Sequence, residues 1–103
     1  MRIFDQGTPR PLRNFLTGHE VTTSRDRGWS ELRNGALLTV AEDSFDVLIT
    51  TDKNLVYQQN LRGRRLSILV LPTPNWNVVK LHSLEVLEAV NSMRPGEYRE
   101  LRW

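Results

Sequence analysis

The sequence contains no cysteine and no long hydrophobic run. Without cysteine the chain has no disulfides and no thiolate metal site, which fits a cytoplasmic protein. The longest apolar stretch, Leu66 to Leu71 with Ser67 inside it, is far shorter than the roughly 20 residues that span a bilayer. The chain begins with an apolar strand pattern rather than a signal sequence. We therefore expect a cytoplasmic protein that does not cross a membrane.

Lysine is also scarce, because twelve of the 14 basic residues are arginine. Arginine suits phosphate contacts better than lysine does, so this bias is a weak indication of nucleic-acid binding. A codon preference for arginine explains the bias equally well. The formal net charge is only +2, and the 39% hydrophobic and 25% charged residues are ordinary for a globular protein. A chain of 103 residues forms a single domain over residues 1–103.

Patterns typical of strands and helices alternate along the chain. Strand patterns occur at residues 1–5, 20–23, 46–50 and 66–71, and the polar tail 97–101 suits an edge strand. Helical patterns occur at residues 9–16, 34–45, 52–61 and 78–93, and residues 24–33 suit a loop. This alternation predicts an α/β fold, a three-layer α/β/α sandwich with a mainly parallel sheet of four to five strands.

Two of the predicted strands are followed by aspartate. Asp5 ends the first strand, and Asp52 follows the central strand Val47–Thr50. Parallel strands present their carboxyl ends at one edge of the sheet, where open α/β sheets bind ligands. One or two carboxylates with water and substrate phosphate are a usual Mg²⁺ site. The alternative is that Asp52 caps a helix and Asp5 stabilises a turn, and spacing alone does not decide between them.

Several segments resemble a family of small bacterial PIN-like proteins. The most specific of them are the strand with its Thr-Asp end and the Tyr-Gln-Gln-Asn-Leu sequence that follows. The similar segments are residues 4–9, 18–21, 27–29, 34–35, 45–55 and 57–61. The resemblance covers nearly the whole chain and implies a PIN-like fold.

The resemblance also implies an activity. The PIN superfamily comprises metal-dependent nucleases that gather three or four acidic residues at the carboxyl edge of a parallel sheet, and many are ribonuclease toxins of toxin–antitoxin pairs. Asp5 matches the first acid and Asp52 the acid after the central strand. The implied protein is an Mg²⁺- or Mn²⁺-dependent endoribonuclease that hydrolyses single-stranded RNA. Its implied partner is a cognate antitoxin protein.

Two positions depart from the family pattern. Relatives commonly have Asp-Glu where this chain has Asp5-Gln6, and they often have an acidic residue where it has Ala36. Glu31 in the preceding loop, or Glu42 if its helix presents it to the crevice, is a candidate for the missing catalytic acid. These departures favour an alternative function, a catalytically degenerate PIN-like fold that acts as a protein-binding or dimerisation module.

Polar residues near the two aspartates are candidates for substrate binding. Thr51 and Asn54 flank Asp52 and could orient its carboxylate or a bound water, while Gln6 could bind a phosphate. Arg25 and Arg27 are the expected phosphate contacts on the loop near the carboxylate edge. Trp29 either stacks on a base or packs against the sheet.

Two further expectations are weaker. A homodimer is one of them, with Trp76, Trp103 and the edge-like tail as candidate contacts. A phosphate-receiving module of the receiver type also uses aspartates at strand ends, but the chain lacks a central phospho-acceptor Asp with a distal Lys in the right order.

Overall fold

A computed structural model of the protein describes residues 2–29, 34–52 and 64–103. Five strands are present in these ranges: β1 (Arg2–Gln6), β2 (Glu20–Thr23), β3 (Val47–Thr50), β4 (Ser67–Val70) and β5 (Tyr98–Glu100). The α-helices are α1 (Ser24–Arg27), α2 (Asn34–Ser44), α3 (Trp76–Val79) and α4 (Ser83–Ser92), and the 3-10 helices are Arg10–Phe15 and Lys80–His82. The helix expected at 52–61 lies almost wholly outside the described residues.

The strands form one sheet in the order β2-β1-β3-β4-β5, and every neighbouring pair is parallel. This confirms the predicted α/β class and the parallel sheet. The tail strand β5 pairs with β4 and is one outer strand of the sheet, while β2 is the other outer strand. In this order the chain reverses its direction across the sheet between β1 and β3, and ligands bind open α/β sheets at such switch points.

Both faces of the sheet are covered, because successive residues of a strand point to opposite sides. On one face, which we call the α4 face, Ile3 and Ile49 pack with the first 3-10 helix and α4. On the opposite face, the α2 face, Phe4 and Leu48 pack with Leu38 of α2. The two apolar clusters account for the nearly continuous hydrophobicity of β3 and β4, which is typical of strands buried on both sides.

The connections between strands do not share one hand. The first 3-10 helix, which joins β1 to β2, and α4, which joins β4 to β5, both cover the α4 face. The two connections step across the sheet in opposite directions, so they have opposite hands. The β2–β3 connection steps back over the α2 face and therefore has the hand of the β1–β2 connection. The β4–β5 connection is thus the exception among them, since almost all such crossovers are right-handed.

The predicted helix at 9–16 is a 3-10 helix, and its prolines explain why. Pro9 precedes it and Pro11 lies in its first turn, so neither position supplies an N–H. The Leu12 N–H donates to the Pro9 carbonyl at 3.1 Å, which is the three-residue spacing of a 3-10 turn. Leu12 is fully buried, so this short helix still covers the sheet.

The expected dimer contacts Trp76 and Trp103 both make contacts within the chain. Trp76 packs against the Phe15 ring, with centroids 5.6 Å apart. Trp103 stacks on the His82 ring with centroids 4.2 Å apart, and its indole N–H donates to Glu85. Across the ranges that the structure describes, no helix is long and apolar enough to cross a membrane.

Candidate functional site

Asp5 is a buried carboxylate at the carboxyl end of β1. Its side chain is only 6% exposed, and its Oδ1 accepts a hydrogen bond from the Thr8 N–H at 3.2 Å. The turn after β1 therefore holds the carboxylate in place. Buried carboxylates are uncommon, because an ionised group loses its hydration when it leaves water.

The surroundings of Asp5 oppose its ionisation. Burial raises the pKa of the Asp5 carboxyl above its ordinary value of 3.8, and the hydrogen bonds from Thr8 and the charge of Arg13 offset only part of that rise. A cation bound beside the carboxylate would replace the lost hydration. A buried carboxylate at a strand end is thus costly to the free protein and suited to a metal ion.

Asp52 lies at the end of the neighbouring strand. In the sheet register Gln6 of β1 pairs with Thr50 of β3, so the two strands end side by side. The Asp52 N–H donates to the Thr50 Oγ1 at 3.1 Å, and the Asp52 side chain is exposed. The predicted juxtaposition of the two aspartate-bearing strand ends is therefore present.

The loops that follow β1 and β3 also touch. The Thr51 Oγ1 lies 3.5 Å from the Gly7 carbonyl oxygen, at the long limit of a hydrogen bond. Gly7 has a φ of +79°, and a Cβ there would lie 3.5 Å from the same hydroxyl. Thr51 thus lies in contact with the Asp5 loop, so the loops that carry the two aspartates are neighbours.

A third acidic residue, Asp26, lies at this edge in α1, the helix that directly follows β2. Thr23, which pairs with Asp5 in the sheet, caps α1: its Oγ1 accepts from the Asp26 N–H, and Asp26 Oδ2 accepts from the Thr23 N–H, both at 3.1 Å. This reciprocal arrangement is a capping box. It explains why the segment predicted as a loop begins with a helical turn. These hydrogen bonds and Arg13 lower the pKa of Asp26.

The same Asp26 carboxylate is paired with Arg13 from the first 3-10 helix. The Arg13 Nη2 lies 3.1 Å from Asp26 Oδ2, and both side chains are about half exposed. Sequence reasoning did not select Asp26. The Thr-x-x-Asp spacing at 23–26 is the signal that identifies the cap, but its proximity to Asp5 depends on β2 lying beside β1.

Glu42 lies at the amino edge of the sheet, where the strands begin. Helix α2 therefore does not bring it to the carboxyl edge that holds Asp5. Its Oε1 accepts from the Arg65 N–H at 2.6 Å, and its Oε2 lies 3.5 Å from the Arg64 Nη1. Arg65 precedes β4, whose amino end is at this edge. Glu42 is near the end of α2, which returns the chain to the start of β3. Glu42 lies there because a crossover helix runs antiparallel to the strands that it connects, so its last residues are near the amino end of the next strand.

The remaining predicted residues are distributed as follows. Gln6 is half-buried at the end of β1, beside Asp5. The Arg27 guanidinium lies 5.4 Å from the Trp29 ring centroid and 5.0 Å from that of Phe45, in cation–π contacts. Trp29 packs on Phe4 with centroids 5.4 Å apart, as the packing alternative expects. Arg25 lies in α1 beside this edge, while Glu31 and Asn54 lie outside the described residues.

Within residues 2–29, 34–52 and 64–103, no group of three or more His, Cys, Asp or Glu side chains is arranged to hold a metal ion. Besides Asp26, which is paired with Arg13, this edge carries the carboxylates of Asp5 and Asp52. Two carboxylates are a number and chemistry that suit Mg²⁺ or Mn²⁺. No family model, curated protein or solved structure matches the chain.

Proposed function

We propose that this protein is a PIN-like, metal-dependent endoribonuclease that hydrolyses single-stranded RNA, as the toxin component of a toxin–antitoxin pair. The observation that supports it most is the buried carboxylate of Asp5 at the switch point of an all-parallel sheet, next to the strand end that carries Asp52. The resemblance of the sequence to PIN-like proteins supplies the reaction, and the antitoxin is the partner that follows from it.

In this proposal Asp5 and Asp52 hold one Mg²⁺ or Mn²⁺. The metal ion would supply an activated water and neutralise charge on the phosphodiester. Asp5 is held by the Thr8 N–H, and Thr51 keeps the two loops together. The substrate-binding residues are Gln6, Thr51, Asn54, Arg25 and Arg27. Glu31 is the candidate that we retain for a third acid, since Glu42 contacts Arg64 and Arg65 at the amino edge.

The alternative is a catalytically degenerate PIN-like fold that binds a protein partner or a second copy. One observation favours it: among the described residues, no third carboxylate joins Asp5 and Asp52 to form a metal-binding group. Gln6 and Ala36 stand where relatives have acids, in agreement with such a loss. The two functions make opposite predictions about metal binding.

Calorimetric titration of Mn²⁺ into metal-free protein at neutral pH distinguishes them. We expect saturable binding by the wild type and its loss in Asp5→Asn and in Asp52→Asn, because each substitution removes half of the carboxylate donors. Asp43→Asn, which removes an exposed acid outside this edge, is the matched control and should bind Mn²⁺ as the wild type does.

A wild type that binds no Mn²⁺ would favour the degenerate module, unless single-stranded RNA restores binding in the same titration. Where Mn²⁺ binds, a nuclease assay on a labelled single-stranded RNA completes the test. Cleavage should require Mn²⁺ or Mg²⁺ and should fall at least a hundredfold in Asp5→Asn, since the metal would be lost.

A further inference from the structure

The Arg13–Asp26 pair lies at the carboxyl edge of the sheet, as the proposed site does. Arg13 is on the 3-10 helix that follows β1, and Asp26 caps the helix that follows β2. Because Asp5 pairs with Thr23 and Thr23 is hydrogen-bonded to Asp26, the ion pair lies at the same end of the sheet as Asp5. The positive charge of Arg13 helps to lower the pKa of Asp26 and offsets part of the rise that burial causes in the pKa of Asp5.

We propose that Arg13 binds a phosphate of the RNA strand, and that Asp26 occupies its guanidinium until that phosphate displaces it. The inference rests on the proposed function and names a residue that binds the substrate there. Asp26 would then act as an internal competitor with the chemistry of the ligand, an anion that accepts hydrogen bonds from a guanidinium.

The energetics permit the exchange. The Arg13 and Asp26 side chains are 41% and 51% exposed, and an ion pair in water contributes little to stability. A guanidinium binds phosphate with the same geometry and greater charge assistance. Asp26 keeps its hydrogen bond from the Thr23 N–H after release, so α1 retains its cap.

Other arginines near this edge are less well placed. Arg27 is already stacked on the rings of Trp29 and Phe45, and its guanidinium lies on the α2 face. Arg13 is joined to Asp26, which is hydrogen-bonded to Thr23, and Thr23 pairs with Asp5, the proposed metal ligand. A phosphate held by Arg13 would therefore lie near the position of the metal, where the scissile group must be.

The test is a double-mutant cycle on RNA binding. Fluorescence anisotropy of a labelled single-stranded oligouridylate is measured in EDTA, so that neither metal binding nor cleavage enters. We expect Arg13→Gln to weaken binding about fivefold and to reduce the slope of log affinity against log salt by about 0.7. Asp26→Asn should tighten binding about threefold, because the competitor is neutral while the amide oxygen still accepts from Thr23.

The double variant separates competition from a general charge effect. If Asp26 acts by occupying Arg13, the combination of Arg13→Gln and Asp26→Asn binds like Arg13→Gln alone. If Asp26 only repels RNA, Asp26→Asn tightens binding equally in both backgrounds, and the inference is overturned. Arg94→Gln, which removes the same charge at the amino edge, is the control and should change affinity less than twofold.

Failure of this inference can be distinguished from failure of the proposed function. Wild-type protein that binds the oligonucleotide with an affinity that Arg13→Gln leaves unchanged overturns this inference and leaves the proposed nuclease intact. Wild-type protein that binds no RNA, and also no Mn²⁺, overturns both. Thermal melts of all variants establish that they are folded, which is expected because the Arg13 and Asp26 side chains are each about half exposed.

Discussion

At the scale of the residue, Asp5 places a carboxylate where the fold alone would prefer a neutral group. Its folded pKa is raised by burial above the ordinary 3.8, so the folded state takes up a proton more readily than the unfolded state. The free energy of unfolding therefore falls as the pH rises from about 3.8 through the raised pKa, and it stays lower above that range. This dependence is opposite to that of a salt-bridged carboxylate.

Asp5→Asn should consequently stabilise the metal-free protein at pH 7 by about 1 kcal/mol. The amide removes the buried charge, and its Oδ1 still accepts from the Thr8 N–H. Urea denaturation in EDTA at pH 7 and pH 4 measures the effect, which should shrink at pH 4. The exposed Asp43→Asn serves as control. If Asp5→Asn is less stable than the wild type at pH 7, then interactions other than those with Thr8 and Arg13 stabilise the ionised Asp5 carboxylate.

At the scale of the element, the turn between α4 and β5 is fixed by one glycine. Gly96 has a φ of +78°, and its N–H donates to the Arg65 carbonyl at 2.8 Å. A Cβ at this position would lie 2.7 Å from the Arg64 carbonyl oxygen, closer than van der Waals contact allows. This turn sets the register of β5, the strand that arrives by the connection of exceptional hand.

Gly96→Ala should therefore cost about 3 kcal/mol of unfolding free energy, from the left-handed backbone and the clash together. Gly18→Ala is the matched comparison: its φ is +84°, but no atom lies within 4 Å of the added methyl. It should cost only about 1 kcal/mol. Equal losses in the two variants, measured by chemical denaturation, would show that the Arg64 carbonyl moves aside freely.

The sequence predicts the elements whose form is determined by their hydrophobic pattern. It does not predict those whose form is determined by local hydrogen bonds. β3 and β4 are predictable because they are nearly continuously apolar, and α2 because its apolar residues follow helical spacing. The 3-10 form of residues 10–15 follows from Pro9 and Pro11 and needs no tertiary contact, yet periodicity does not reveal it. α1 has no apolar face, so its only signal was the Thr-x-x-Asp cap.

For the site, the sequence predicts which residues end the strands but not which strands lie side by side. Asp5 and Asp52 were predictable from the alternation of strands and helices, which places both at one edge. The place of Asp26 required the strand order, which no local pattern encodes. Glu42 lies at the amino edge because a residue late in a crossover helix is near the amino end of the next strand, and this depends on helix length rather than on composition.

At the scale of the whole molecule, the parallel sheet separates two groups of charged side chains. The carboxyl edge holds Asp5, Asp52 and Asp26 with its partner Arg13, while the amino edge holds Glu42 with its partner Arg64. Asp5 is in β1 and Gly96 precedes β5, three strand positions away, so the two residues are about 14 Å apart across the sheet at 4.8 Å per strand. That exceeds the 7–10 Å within which substitutions usually couple.

The effects of Asp5→Asn and Gly96→Ala should therefore add to within about 0.5 kcal/mol. The double variant is compared with the two single variants by denaturation in EDTA at pH 7. Asp5→Asn with Gly7→Ala is the contrasting pair, because Gly7 lies in the Asp5 turn, and this pair should depart from additivity. A large coupling in the distant pair would mean that the sheet transmits strain between its edges.

Independence of the two edges has an evolutionary meaning. A lineage with this fold can replace acids at the carboxyl edge by drift or selection while the contacts that maintain the fold, at the amino edge and in the two apolar layers, stay under separate constraint. At the end of β1, the backbone of Gln6 pairs with Thr50 independently of its side chain. Substitutions at the carboxyl edge can therefore change what the protein does with little effect on whether it folds.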